Sequence, residues 1–320
     1  MKLAIVGATG KVGRMMLTNL KEFDIKYTEL DLYASANSAG KEIVFDDKKY
    51  YIKELTKEAM KKGYDFLLFS AGGNVSREYA PIAAEAGSTV IDNSSAFRRD
   101  PNIPLIVPEI NGDLLKSYQG IISNPNCSTI QLVLLLKPLN DYCPIKKVVV
   151  TTMQSVSGSG YKGILEMQSQ RQGNKNVSLY PKQIDLNVIP QIGEIGSDFY
   201  SEEERKMTFE TQKILALPSF NLVTTTVRVP VVYGHSESVY IEFMKDISLS
   251  EITKILSNSP SVEYKNIIFT PLELEESNLS HVSRIRFAGD EKSIFLWNVA
   301  HNVRLGAATN AIKILKCLSK

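Results

Sequence analysis

LAIVGATGKVGRMMLTNLKEF, residues 3–23, joins a wholly apolar run to a glycine-punctuated turn and then to an amphipathic segment. Leu3-Ala4-Ile5-Val6 carries no polar residue, which marks a strand buried on both faces, the parallel type covered by helices. Gly7, Gly10 and Gly13 follow, and Val12, Met15, Met16, Leu20 and Phe23 recur at helical spacing. Glycines at a strand-to-helix turn let a dinucleotide's pyrophosphate approach backbone N–H groups at the helix start. The string is G-x-x-G-x-x-G rather than G-x-G-x-x-G, so its weight comes from its place in a strand–turn–helix–strand run. A turn needing glycine only for tight packing is the alternative.

Outward from this stretch, a second strand, Glu29 to Tyr33, ends in the loop Ala34–Lys41. An NAD site usually carries an acid here, on the ribose hydroxyls. This loop offers Ser35, Asn37, Ser38 and Lys41 instead, groups suited to a 2′-phosphate, so NADP is the expected cofactor. Further parallel-type strands are expected at Phe66–Ser70, Thr89–Asp92 and Leu105–Val107, with a helical stretch at Ser76–Ala86. Arg98 follows one strand end and is either half of a solvated Arg-Asp surface pair or a grip for phosphate.

The second landmark is SNPNCSTIQLVLLLKPL, residues 123–139. Pro125 cannot sit inside a helix, whereas Asn126 and Ser128 suit a helix start, which puts Cys127 at or near the first helical position. Unpaired N–H groups and the positive end of the helix dipole favour a thiolate there. A small buried residue opening a core helix is the bland alternative. Beyond it the texture changes. A β-branched strand at Lys147–Thr152 leads into Gln154-Ser155-Val156-Ser157-Gly158, then helices near Gly163–Gln170 and Ser201–Leu215. Strands are expected at Leu222–Val232, Ser238–Met244, Val262–Phe269, His281–Phe287 and Ser293–Val299. This predicts a mainly antiparallel sheet in a second domain beginning near Cys127, with a last helix, Gly306–Leu318, returning to the first.

The 320 residues suffice for two domains, and 43% hydrophobic with 22% charged residues is ordinary globular composition. A net charge of +2 gives no reason to expect nucleic acid or a membrane surface as partner. Three scattered cysteines (127, 143, 317) and three unclustered histidines (235, 281, 301) suggest neither a disulfide framework nor a metal site. With no signal-peptide pattern at the N-terminus, a reduced, cytoplasmic setting is expected.

In Leu222–Val232, valines occupy one face while Thr224, Thr226 and Arg228 occupy the other; Arg228 is solvent-facing or aimed at an anion. His235 stands past Tyr233-Gly234 at the mouth of an expected hairpin, a bland turn residue or a base. Glu203 and Lys206 share a helix face, which on its own reads as a surface ion pair.

Together these segments say more. GATGKVG (7–13), ASANSAGK (34–41), DNSSAFR (92–98), NPNCSTIQ (124–131), QSVSGSG (154–160), EERKMTFETQKIL (203–215) and VRVPVVYGHSESVYIE (227–242) occur in the order and spacing of one family. Over nearly its whole length the chain resembles the aspartate-semialdehyde dehydrogenases, closest to their Gram-positive-type branch. The resemblance implies an α/β protein. An N-terminal Rossmann-like NADP-binding domain (1–126, completed by 302–320) precedes an α+β catalytic and dimerisation domain (127–301) like that of glyceraldehyde-3-phosphate dehydrogenase. It implies NADPH-dependent reduction of β-aspartyl phosphate to aspartate semialdehyde, with release of phosphate, on the route to lysine, threonine and methionine. It also implies a homodimer or homotetramer and no metal. By the same resemblance Cys127 is the nucleophile, His235 the acid/base and Gln154 the residue orienting the acyl group. Arg228 takes the substrate carboxylate, Glu203 its ammonium, and Arg98 and Lys206, with Asn126, the phosphate. The cofactor candidates are Gly7, Thr9, Gly10, Lys11, Val12, Gly13, Ser35, Asn37, Ser38, Ser157, Gly158 and Asn310.

Two departures stand out: Asn37 replaces a frequent arginine, and in His301–Ala308 a usual basic residue is shifted to Arg304 or lost. The alternatives are an N-acetyl-glutamyl-phosphate reductase, whose usual Pro-Gly-Cys-Tyr differs from Pro125-Asn126-Cys127-Ser128, and a non-catalytic cofactor-binding homologue.

Overall fold

The apolar run becomes β1 (Lys2–Val6) and the glycine turn opens α1 (Lys11–Glu22) in a computed structural model that describes residues 1–319. There follow β2 (Glu29–Ala34), a hairpin of β3 (Glu42–Phe45) and β4 (Lys48–Tyr51), β5 (Lys53–Glu54), α2 (Lys57–Met60) and β6 (Phe66–Phe69). Then come α3 (Gly73–Glu85), β7 (Thr89–Asp92), α4 (Pro108–Asn111) and β8 (Ile121–Ser123). The main sheet runs β5-β2-β1-β6-β7-β8 with every pair parallel. The strand order reverses between β1 and β6, which is where an open α/β sheet offers a ligand crevice. Strand periodicity divides the core: Leu3 and Ile5 pack with Met16 and Leu20 of α1, while Ala4 and Val6 pack with Ala80 and Ala83 of α3. The expected strand Leu105–Val107 reduces to one bridge, Leu105 with Ser123. Pro104 lacks an N–H to donate, and Pro108 already starts α4.

The second part of the chain comprises α5 (Cys127–Tyr142), β9 (Ile145–Ser155), α6 (Gly160–Arg171), α7 (Glu202–Leu215), β10 (Leu222–Val229) and β11 (His235–Phe243). It continues through α8 (Leu249–Asn258), β12 (Val262–Tyr264), β13 (Ser280–Phe287) and β14 (Ser293–Ala300). Its sheet runs β10-β9-β11-β14-β13-β12 and is mixed, with three antiparallel and two parallel pairs. Three expectations give way here. His235 is not at a hairpin, because β9 lies between β10 and β11; it is the first residue of a strand. The expected strand Val262–Phe269 stops at Tyr264. α8 falls where no element is expected; Ile252 and Leu256, four apart, are its buried stripe.

A π-helical turn, Arg304–Thr309, leads to α9 (Asn310–Leu318), shorter at its start than the expected Gly306–Leu318. The chain divides into two compact units, Met1–Pro125 with the chain from Ala307 onward, and Asn126–Gly306. Residues 302–306, expected with the last helix, stay with the second unit. Asn302 Oδ1 accepts from Gly234 N (2.9 Å), and Arg304 Nε donates to Glu275 O (3.0 Å). Lys320, the end of the expected 302–320 segment, lies outside the described residues. Among the described residues no helix is long and apolar enough to cross a membrane, and no cluster of His, Cys, Asp and Glu could hold a metal ion.

Candidate active site

In the first unit a cleft of about 590 Å³ opens at the switch point between β1 and β6, lined by Gly7, Thr9, Gly10, Ser35, Ser70 and Tyr79, among others. Gly7 has φ +87°, and a Cβ there would come 2.7 Å from Ser70 O, so only glycine fits. α1 starts after Gly10 with no side-chain cap, which leaves the amides of its first turn, Lys11, Val12 and Gly13, to an anion. Asn37 and Ser38 belong to a 3-10 turn, Ala36–Ser38, just beyond Ser35. Backbone donors at a helix start, a glycine where a pyrophosphate has to come close, and hydroxyls after β2 fit a dinucleotide.

Asn310 is turned inward: its Nδ2 donates to Ile106 O (2.9 Å) and Asn124 Oδ1 (2.7 Å). Arg98 is buried, with Nη2 donating to Asn93 O (2.9 Å).

In the second unit Cys127 is the first residue of α5 and Asn126 its N-cap. Asn126 Oδ1 accepts from the amides of Ser128 (3.0 Å) and Thr129 (3.3 Å), which satisfies two donors of the first turn. Asn126 is itself held by two carboxylates of α7: its Nδ2 donates to Glu203 Oε1 (2.8 Å) and its backbone N to Glu210 Oε2 (2.6 Å). Cys127 keeps partial solvent exposure, while most of the helix behind it is buried.

Glu203 is not a surface charge. It is buried, and its Oε1 also accepts from Gln154 Nε2 (3.2 Å). Lys206 lies 2.8 Å from Glu202 and 4.0 Å from Glu203, one helical turn away in each case. Gln154 stands beside Arg228 across the parallel β9–β10 pair. On β10 the threonine and arginine face turns inward and the valines are half-exposed, which resolves the two readings of Arg228 in favour of burial. The inward threonines are satisfied by α7: Thr226 N donates to Glu204 Oε1 (2.9 Å) and Thr224 Oγ1 to Glu204 O (3.3 Å). Arg228 Nη1 donates to Ser155 O (2.7 Å).

His235 is fully buried at the start of β11. Its Nδ1 accepts from Ser155 N (3.0 Å) and lies 3.1 Å from Ser155 Oγ, which leaves the neutral ring's proton on Nε2. Burial, reinforced by the Arg228 guanidinium, pushes the imidazole pKa down to about 3. Nε2 has no hydrogen-bond partner. It points to Gly158, where a Cβ would meet Arg228 Nη1 at 2.8 Å and His235 Nε2 at 3.4 Å. A side chain at 158 would collide with the guanidinium, so glycine there lets Arg228 and the imidazole N–H of His235 stand side by side, a cation and a donor suited to a carboxylate and to an oxygen that gains negative charge.

Ser157 and three residues given no site role by the sequence, Asn302, His301 and Glu210, steady this arrangement. Asn302 accepts from Ser155 Oγ and Ser157 Oγ (3.3 Å each), besides Gly234 N. His301 stacks on Tyr233 with ring centroids 5.2 Å apart. Glu210 holds the Asn126 amide from seven residues beyond Glu203, two turns along α7 on the same face, a spacing visible in the sequence.

Residues 2–118 match the family described as semialdehyde dehydrogenase, NAD binding domain, and residues 136–305 its dimerisation domain. The aspartate-semialdehyde dehydrogenase of Aquifex aeolicus is 45% identical over 333 residues, covering 100% of this chain and 98% of the relative. That of Bacillus subtilis is 40% identical, covering 99% and 97%. Relatives from Campylobacter and Legionella match at similar levels, so the similarity is not confined to a Gram-positive branch. The crystal structure of Vibrio cholerae aspartate semialdehyde dehydrogenase II complexed with ASA superposes with a TM-score of 0.95 at 41% identity, covering 99% of this chain and 98% of that one.

Proposed function

The chain belongs to the aspartate-semialdehyde dehydrogenase family, and from that membership we propose that it reduces β-aspartyl phosphate to aspartate semialdehyde through a thioacyl group on Cys127. One observation carries the reading. A cysteine opens a helix whose cap is pinned by two buried carboxylates, in the same unit as an imidazole N–H and a guanidinium that come together at Gly158.

Cys127 Sγ attacks the acyl carbon and phosphate leaves, which an acyl phosphate permits without a metal. The positive end of the α5 dipole stabilises the oxyanion, and His235 donates a hydrogen bond to it from Nε2. The nicotinamide cofactor supplies a hydride to the thioester carbon. Collapse of the oxyanion then releases the aldehyde and returns the thiolate. Gln154 orients the acyl group. Arg228 pairs with the substrate carboxylate and Glu203 with its ammonium; Arg98, Lys206 and Asn126 are the phosphate set.

We propose NADP as the cofactor, since the loop after β2 carries Ser35 and Ser38 and no acid; Asn37 in place of an arginine loosens the 2′-phosphate grip and leaves NAD some activity. Membership of the Gram-positive-type branch rests on the quoted motifs alone. We further propose a homodimer built on the outer face of the second sheet, where Val149, Met153, Val227, Tyr240 and Phe295 are half-exposed and contiguous in register.

The test is reduction of NADP, then NAD, by purified protein with aspartate semialdehyde, with and without phosphate. Phosphate-dependent turnover that Cys127→Ala abolishes supports the proposal. Substantial turnover in that variant, or activity only on N-acetyl-glutamate semialdehyde, contradicts it.

A further inference from the structure

Gln131 lies one helical turn after Cys127, so the two residues share a face of α5. Its Nε2 donates to the backbone O of His235 (3.3 Å), which ties the nucleophile's helix to the first residue of β11. Its own backbone O accepts from Asn298 Nδ2 (3.4 Å) and Ser280 Oγ (3.5 Å). Asn298 Nδ2 also donates to Glu237 Oε2 (2.9 Å), and Ser280 Oγ donates to Asn298 Oδ1 (2.7 Å). Glu237 is fully buried, two residues after His235 on the same face of β11, and the Gln131 side chain lies within hydrogen-bonding range of it. Glu237 Oε1 and Gln131 Oε1 are both buried with no hydrogen-bond partner. A carboxylate in such a place leaves acceptors without donors, whereas a proton on Oε1 turns one of them into a donor.

We propose that Glu237 is a positioning residue for the Cys127–His235 pair, a buried hydrogen-bond donor that braces α5 through Gln131 and β14 through Asn298. This rests on the roles given to Cys127 and His235 above. Burial pushes the Glu237 carboxyl pKa up to about 8, against the opposing pull of hydrogen bonds from Asn298 and Gln131. The groups facing it are uncharged: Gln131 from α5, Thr152 from β9, Ser280 from β13 and Asn298 from β14. His235, on its own strand, is held neutral. Among the described residues no cation is placed to hold a carboxylate there, so ionisation above about pH 8 would push the brace apart. Between the ordinary carboxyl range and about 8 the native state keeps a proton that the unfolded chain releases, so this group lowers stability as pH rises through that window. A glutamine would avoid that penalty at the same shape.

The experiment compares Glu237→Gln, Glu237→Asp and Glu237→Leu with the unaltered protein. It reads kcat and KM with aspartate semialdehyde and phosphate, and the rate at which iodoacetamide alkylates Cys127 without substrate, by peptide mass. Glu237→Gln, a permanent donor, is expected to keep kcat near neutral pH and to hold it above about pH 8, where the unaltered enzyme declines. Glu237→Leu is expected to lose roughly tenfold or more in kcat with KM little changed, and to slow Cys127 alkylation severalfold. Equal kcat in Glu237→Leu and the unaltered enzyme, or a loss in Glu237→Gln as large as in Glu237→Leu, overturns the proposal. If Glu237→Leu fails to fold by circular dichroism, the other pair decides: Asp, one methylene short, loses kcat while Gln keeps it, and any other ordering overturns the proposal. Absence of turnover in the unaltered protein would instead sink the reaction assigned above. Alkylation of Cys127, slowed in Glu237→Leu or Glu237→Asp but not in Glu237→Gln, then still judges the brace.

Discussion

Gly306→Ala tests how tightly the nucleophile is held, because the residue behind Cys127 has no room for a side chain. A Cβ at position 306 would lie 2.5 Å from Cys127 Cβ, 3.0 Å from its Cα and 3.4 Å from its O. Carbon atoms rest at about 3.5–4.0 Å, so Cys127 or the backbone at 306 has to move by about 1 Å. The neighbours cannot absorb this cheaply. Cys127 Cα and O belong to the first turn of a capped helix, and residue 306 lies in the π-helical turn Arg304–Thr309. A displacement of about 1 Å at a reacting atom costs on the order of 100-fold in rate, or about 2.7 kcal/mol in the barrier. The assay is steady-state oxidation of aspartate semialdehyde with phosphate and NADP. Gly112→Ala serves as control, since a Cβ there makes only an ordinary 3.8 Å contact with Pro108. The expected result is a fall of about two orders of magnitude in kcat for Gly306→Ala and none for Gly112→Ala. Normal kcat in a folded Gly306→Ala protein would show that the sulfur's position does not limit the chemistry.

Asn126→Ala removes the α5 cap and the partner of a buried carboxylate at once. It should lower stability by about 2–4 kcal/mol in urea titrations, a cap loss of about 1 plus an unsatisfied Glu203. The imidazole of His235, pushed down to about 3 by burial and by Arg228, makes stability fall in acid. Below the ordinary histidine pKa of about 6.5 the unfolded chain takes up a proton that the native ring refuses, so stability drops by up to about 1.4 kcal/mol per pH unit as pH falls toward 3. His301, held near 4 chiefly by burial, adds to the upper part of that slope, and His235→Asn should flatten the whole by about one proton in urea midpoints measured across the range. Tyr240→Glu, on the half-exposed face of the second sheet, should shift the protein to monomer in light scattering; an unchanged mass would move the interface elsewhere.

The cofactor half was legible because its signals are local. An apolar run, glycines at fixed offsets and a helical stripe each specify their own backbone, and the parallel order follows from the topology they imply. The start of α5 was equally legible, since Pro125 forbids helix and Asn126 caps it. What escaped depends on which strand lies beside which. Tyr233-Gly234-His235 looks like a hairpin mouth, yet β9 intervenes between β10 and β11, and nothing local to residues 222–243 encodes that insertion. The alternation in β10 was visible, but not that its polar side faces inward, because Glu204 of another element satisfies Thr224 and Thr226. Glu203 read as a surface charge for the same reason: its partners, Asn126 and Gln154, lie 77 and 49 residues away. α8 escaped although Leu249, Ile252, Ile255 and Leu256 stand at helical spacing.

The central claim is that the acyl group passes through the Cys127 sulfur. Mixing the protein with β-aspartyl phosphate without cofactor, quenching in acid and mapping peptides by mass tests it directly. The account predicts an aspartyl adduct on the peptide holding Cys127, lost on adding NADPH before the quench and absent in Cys127→Ser. An adduct on Cys143 or Cys317 instead, or turnover with no adduct on any cysteine, would contradict it.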